Sequence, residues 1–175
     1  MAHILIAYST TDGHTRKICE RLKQVIEGHA HRVTLTSIAD EPDLDLRPYD
    51  KIVVGASIRY GKHHERVYRF VRQHRAVLDG KPNAFFTVNV VARKPDKCEP
   101  DTNPYLKKFL QQVGWRPQAV AVFAGRIEYR LYRFRDRTMI RFIMWLTKGP
   151  TDPATAISFT NWDRVEAFGH ALSAT

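Results

Sequence analysis

Apolar residues arrive along this chain in two rhythms. Short apolar runs occur at 3–9, 51–57, 83–89 and 119–124. The first closes on Ser-Thr-Thr-Asp-Gly, and the last is ended by Gly125. A run that is apolar on both faces predicts a strand buried on both sides, the signature of a parallel sheet. Arg32–Ile38 alternates instead, with Val33 and Leu35 on one side, and predicts a further strand. Between the runs the spacing turns helical. Ile18, Leu22, Val25 and Ile26 mark a helix over Thr15–Gly28. Val67, Phe70, Val71, Val77 and Leu78 mark one helix ending near Gly80. Tyr105, Leu106, Phe109, Leu110 and Val113 mark a third, closed by Gly114. Trp162, Val165, Phe168 and Leu172 mark the last, with Asn161 as its candidate N-cap. Strand and helix alternate, which predicts an α/β fold: five parallel strands, doubly wound, with helices on both faces.

One segment does not fit that alternation. Arg126–Pro150 lies between the fifth strand and the last helix and is far longer than a βα loop of about 2–6 residues. The 175-residue chain therefore reads as a single domain carrying an insertion at 126–150. Charge singles out the same segment. The chain carries a formal +10, and 126–148 holds seven Lys/Arg against Glu128 and Asp136, half of that excess. Arg130, Arg133, Arg137, Arg141 and Lys148 fall within an arc of about 80° on a helical wheel. Met139, Ile140, Phe142, Ile143, Trp145 and Leu146 take the other side, and Arg135, falling among them, predicts a helix that starts near Arg137. A basic amphipathic helix with a tryptophan suits a membrane interface. It suits equally an insert that packs its apolar side on the domain and leaves a solvated charged face.

The remaining composition narrows the classes. Two cysteines, Cys19 and Cys98, lie in no metal-like spacing and read as free thiols in a reducing compartment. His3–Tyr8 is too short for a secretory h-region, and no apolar stretch approaches the roughly 18 residues of a membrane span. His63-His64-Glu65 lacks a zincin arrangement, so no metal site is expected there. Zinc-finger spacing is absent, and nucleic acid is not expected as a partner.

In a doubly wound sheet, ligands bind at the carboxyl ends of the strands. Three loops lie there. Ser9-Thr10-Thr11-Asp12-Gly13-His14-Thr15 joins the first strand to the first helix and places hydroxyls and a glycine at a helix start. Backbone N–H groups and the helix dipole there favour a phosphate, although the same residues also suit an ordinary capped βα turn. It is neither a Walker A loop nor the dinucleotide fingerprint. Ser57-Ile58-Arg59-Tyr60-Gly61 follows the third strand, and Tyr60 there suits either an aromatic platform for a flat ring or a surface tyrosine packed on the sheet edge. Asn89-Val90-Val91-Ala92-Arg93-Lys94-Pro95 follows the fourth.

The first loop resembles the FMN-phosphate loop of flavodoxins, with Asp12 standing where a hydroxyl is usual. Val54–Gly61, Thr87–Pro95 and Thr102–Leu110 together resemble the bacterial flavodoxin-type protoporphyrinogen IX dehydrogenases, as do Trp115-Arg116-Pro117, the basic insert and Thr160-Asn161-Trp162. That resemblance spans essentially the whole chain. It implies a flavodoxin-like sheet of order 2-1-3-4-5 and FMN held by the three loops. It implies oxidation of protoporphyrinogen IX to protoporphyrin IX in haem synthesis, in successive two-electron steps, with electrons passed to menaquinone or ubiquinone. It also implies a cytoplasmic protein in peripheral contact with the inner-membrane surface; a homo-oligomer is open. Arginine forks suit the two propionates of such a substrate. Arg93, Lys94, Arg126, Arg130, Arg133 and Arg137 are therefore the candidate cationic rim, with Arg59, Tyr60 and Arg93 the catalytic candidates by location. Three other readings stay open: a flavodoxin-type electron carrier, an FMN-dependent quinone reductase fed by NAD(P)H, and a non-enzymatic module that uses only the charge.

Overall fold

The computed structural model describes residues 1–174. Strand β1 (His3–Ser9) leads through helix α1 (His14–Glu27) to β2 (Arg32–Ser37). The long third strand β3 (Lys51–Arg59) turns at Tyr60-Gly61 into a two-residue strand β4 (Lys62–His63). Helices α2 (Glu65–Gln73) and α3 (Arg75–Gly80) precede β5 (Asn83–Asn89). Helix α4 (Pro104–Val113) leads to β6 (Ala119–Ala124). Then come β7 (Arg126–Glu128), α5 (Phe134–Leu146), β8 (Ala156–Ser158) and the closing helix α6 (Trp162–Ala174).

Five strands pair in parallel in the order β2-β1-β3-β5-β6, with β4 folded back antiparallel on β3. Counting the parallel strands alone, this is the expected 2-1-3-4-5 order. The pleat divides the core. Leu5 and Ala7 of β1 face one side, with Val67, Phe70 and Val71 of α2 and Leu106, Phe109 and Val113 of α4. Ile4, Ile6 and Tyr8 face the other, with Ile18, Leu22 and Ile26 of α1 and Val165 and Leu172 of α6. Helices therefore cover both faces, and the strand ends stay open to carry loops. Gly55 in β3 shows how closely the second face is filled: a Cβ there would come within 2.1 Å of the Phe86 ring.

Three details depart from the sequence expectations. The helix expected up to Gly80 is two helices, because His74, at φ −99° and ψ 14°, interrupts the α-conformation between Gln73 and Arg75. The insert helix begins at Phe134 rather than near Arg137, so Arg135 is helical, while Arg130 lies in a 3-10 turn and Arg133 at the N-cap. The excursion also runs past Pro150, since β7 pairs with β8. That ribbon carries a small core of its own: Ile127, Tyr129, Tyr132 and Met144, with Val90, Ile140, Ile143 and Phe159 against it.

Candidate functional site

A cleft open to solvent lies at the carboxyl ends of β1, β3 and β5. The first loop forms one end. Gly13, at φ 85°, adopts the left-handed conformation that glycine tolerates, and α1 starts directly after it. The Gly13 N–H is taken by Thr10 Oγ1 at 3.0 Å. The first intrahelical bond runs from Lys17 N to Gly13 O at 3.3 Å, so the N–H groups of His14, Thr15 and Arg16 have no acceptor within the helix. No side chain caps this end, and the Thr15 hydroxyl is buried without a hydrogen-bond partner. An uncapped helix start with an orphaned buried hydroxyl matches what a phosphate supplies: acceptor oxygens at the positive end of the dipole. The residues present fit the phosphate end of a flavin mononucleotide.

His14 also lines this end. The Thr160 hydroxyl donates to the Ala124 carbonyl at 2.6 Å, so its oxygen must accept from His14 Nε2, also at 2.6 Å. That fixes the neutral tautomer and leaves Nδ1 a buried acceptor without a partner. Burial, and then the nearby Arg126, hold the His14 pKa below its ordinary value.

The second loop makes one wall. Tyr60 (φ 54°) and Gly61 (φ 78°) both lie at positive φ, which closes β3 and β4 as a two-residue hairpin between Arg59 and Lys62. Ser57, Ile58, Arg59, Tyr60 and Gly61 all line the cleft. Arg59 sits 3.6 Å from Asp12 and 3.8 Å from Asp136, with its guanidinium 5.0 Å over the Tyr132 ring. Asp12, the departure in the phosphate loop, thus turns to Arg59 and leaves the helix start bare. Burial, followed by the hydrogen bond to Asp136, raises the Tyr60 pKa and keeps the phenol a donor.

The third loop winds through two short 3-10 turns. Asn89 Oδ1 accepts from Ala92 N at 3.0 Å and so shapes the first of them. Behind it runs a buried polar chain: His63 Nε2 meets Thr87 Oγ1 at 3.0 Å, and Asn103 Nδ2 donates to Asn89 Oδ1 at 3.2 Å. Asn89, Val90 and Val91 reach the cleft.

The cationic rim is rearranged relative to expectation. Arg126 lines the cleft, paired with Glu128 at 2.9 Å. Arg93 lies outside it: its guanidinium donates to the Val90 carbonyl at 3.1 Å and to Thr147 O and Oγ1 at 3.2 and 3.3 Å, tying the third loop to the end of α5. Arg137 is spent on the Tyr129 carbonyl at 3.1 Å. Lys94, Arg130 and Arg133 do not line the cleft, nor do Ser9, Thr10, Gly13 and Ala92. The insert contributes an apolar wall instead, with Tyr132, Ile140, Ile143 and Met144, and α4 contributes Tyr105. Sequence reasoning missed these side chains because their apolar spacing reads as packing; Asp136, counted only as a stray charge, was the usable signal.

Comparison with known proteins agrees with this fold. The family described as Flavodoxin domain matches residues 5–154. Crystalline oxidised Flavodoxin 1 from Bacillus cereus superposes with a TM-score of 0.58 at 16% identity, covering 99% of this chain and 98% of that one. The chain belongs to the flavodoxin family, and that fold implies a flavin cofactor. Within it, the chain is 43% identical to a protoporphyrinogen IX dehydrogenase [quinone] of Leishmania major, over 97% of this chain and 74% of the relative. It is 39% identical to the protein of the same name from Escherichia coli K12, over 97% of this chain and 93% of that one.

Proposed function

We propose that this chain is an FMN-dependent protoporphyrinogen IX dehydrogenase that delivers its electrons to a membrane quinone. The cleft carries the reading. It joins an uncapped helix start with an orphaned Thr15 hydroxyl to an apolar wall built by the basic insert, in a chain that aligns over 97% of its length with dehydrogenases of that name. Bound FMN supplies the two-electron redox chemistry. The chain's own residues bind and orient. The N–H groups of His14, Thr15 and Arg16 and the Thr15 hydroxyl take the phosphate. The second and third loops, through Tyr60 and Asn89–Val91, would hold the ring. Tyr132, Ile140, Ile143 and Met144 would give the tetrapyrrole ring an apolar wall to pack against. Arg126 is the cleft cation best placed for a propionate once it leaves Glu128.

Peripheral contact with the cytoplasmic face of the inner membrane belongs to the same reading. No helix among the described residues is long and apolar enough to cross a membrane. Phe134, Phe142 and Trp145 of the insert are nevertheless exposed, and a quinone partner lives in lipid.

The test is a visible spectrum of the purified protein before and after anaerobic addition of protoporphyrinogen IX. The expected result is a yellow protein that bleaches on addition and regains colour with a menaquinone analogue. A protein that cannot be reconstituted with FMN, or a spectrum unmoved by the porphyrinogen but bleached by NADPH, would overturn it.

A further inference from the structure

Asp136 stands in the first turn of α5, on the insert, yet its carboxylate serves the turn after β3. The Tyr60 hydroxyl donates to it, and the Arg59 guanidinium lies 3.8 Å away. That guanidinium also pairs with Asp12 of the first loop at 3.6 Å and covers the Tyr132 ring of the insert. One cation and one carboxylate therefore join the phosphate loop, the second loop and the insert at the cleft. The Tyr60 backbone is fixed by its left-handed turn. Its ring is about half exposed, and the hydrogen bond to Asp136 is what orients it. Arg59 lies between two carboxylates, so its positive charge is compensated from both sides, in partly shielded surroundings where such charges act more strongly than in water.

We propose that Asp136 is a positioning residue for the flavin ring: from the insert it holds Tyr60 and Arg59 in the arrangement the ring meets. This rests on the flavin reading above. It means that the seating of the insert sets both the shape and the charge of the flavin slot. Asp136→Asn keeps an acceptor for Tyr60 but removes the negative charge, leaving Arg59 balanced by Asp12 alone. The slot becomes more positive and favours the electron-rich, reduced flavin. Asp136→Ala removes the acceptor as well and releases the Tyr60 ring. Tyr60→Phe removes the hydroxyl alone.

The experiment combines riboflavin and FMN titrations with a spectroelectrochemical titration of wild type, D136N, D136A, Y60F and Y60F/D136A, with apoprotein unfolding midpoints measured alongside. D136N is expected to favour reduced over oxidised flavin about tenfold more than wild type, ~30 mV for a two-electron couple. D136A and Y60F are each expected to weaken riboflavin and FMN by the same factor, about tenfold. The double variant should bind no more weakly than D136A, because the two changes break one interaction. Additive losses, an unmoved potential in D136N, or weakening that tracks a lost fold would each overturn the proposal. Failure of the wild type itself to bind flavin would overturn the functional reading instead.

Discussion

Thr15 and His63 are both buried polar side chains with an atom left unpaired, and they lead to opposite expectations. The Thr15 hydroxyl sits at a bare helix start, where an anion would complete it. A hydrogen bond to a charged group is worth roughly 1.5–3 kcal/mol. Thr15→Ala should therefore weaken FMN by about 10–100-fold and leave riboflavin, which has no phosphate, within about twofold; fluorescence titration of the two ligands checks both halves. His63 has no such vacancy to fill. It lies among Phe85, Phe109 and Tyr68, and burial pushes its pKa down to about 3. Unfolded, the same imidazole titrates near 6.5. Between those values the unfolded chain binds a proton that the folded one refuses, so stability rises with pH across this window. On acidification from about pH 6.5 to about pH 3, this group should remove stability at a slope approaching 1.4 kcal/mol per pH unit. His63→Phe should flatten that slope in urea melts; an unchanged pH dependence would show that the histidine is protonated in the fold or titrates elsewhere.

At the scale of elements, what periodicity could express was legible and what it could not was missed. The strands at 3–9, 83–89 and 119–124 stand at the bounds their apolar runs predict, because a strand buried on both faces leaves a continuous mark. The loop at 9–15 was legible as a strand-to-helix turn, because Gly13 and the hydroxyls around it stand where β1 ends and α1 starts. The three-residue strands β7 and β8 and the two-residue β4 are too short to carry a period. The helix break at His74 carries no proline or glycine to announce it. Arg93 is the instructive case. Its place in the loop after the fourth strand and its guanidinium fork made it a candidate substrate ligand in sequence, but a guanidinium can equally tie two backbones together, and here it binds Val90 O and Thr147 O. The tie is closely packed: a Cβ on Gly149 would lie 2.9 Å from Arg93 Nη2 and 2.7 Å from Met144 Sδ. Arg93→Ala should therefore loosen the insert, with amides in 126–158 exchanging about tenfold faster by mass spectrometry while FMN phosphate binding holds. Arg93→Lys should restore little, since one ammonium cannot reproduce the planar fork.

For the molecule as a whole, the orientation of α5 decides how the +10 charge is used. A helix packed only for stability would turn all its apolar residues inward. Here Ile140, Ile143 and Met144 face the cleft, while Phe134, Met139, Phe142, Trp145 and Leu146 stay exposed, Phe134 at 81% and Trp145 at 68%. Arg135, Arg141 and Lys148 are exposed beside them. Clustered large apolar side chains on a surface mark a binding face, and basic residues around them select an anionic one. Each Lys or Arg held near an anionic leaflet contributes about 1 kcal/mol, a gain that fades within a Debye length and so weakens with salt. A lipid surface here would bring quinone to the other side of the helix whose inner residues line the cleft. Vesicle co-sedimentation of the FMN-loaded protein separates the two contributions. Binding to vesicles containing anionic phosphatidylglycerol should exceed binding to neutral phosphatidylcholine by more than tenfold and fall steeply between 50 and 500 mM salt, settings of roughly 14 and 4 Å in screening length. The pair Phe142→Ser and Trp145→Ser should abolish the remainder that survives high salt while leaving the flavin spectrum as it is, because neither side chain lines the cleft. Equal binding of both variants and wild type at high salt would mean that the exposed face meets something other than lipid.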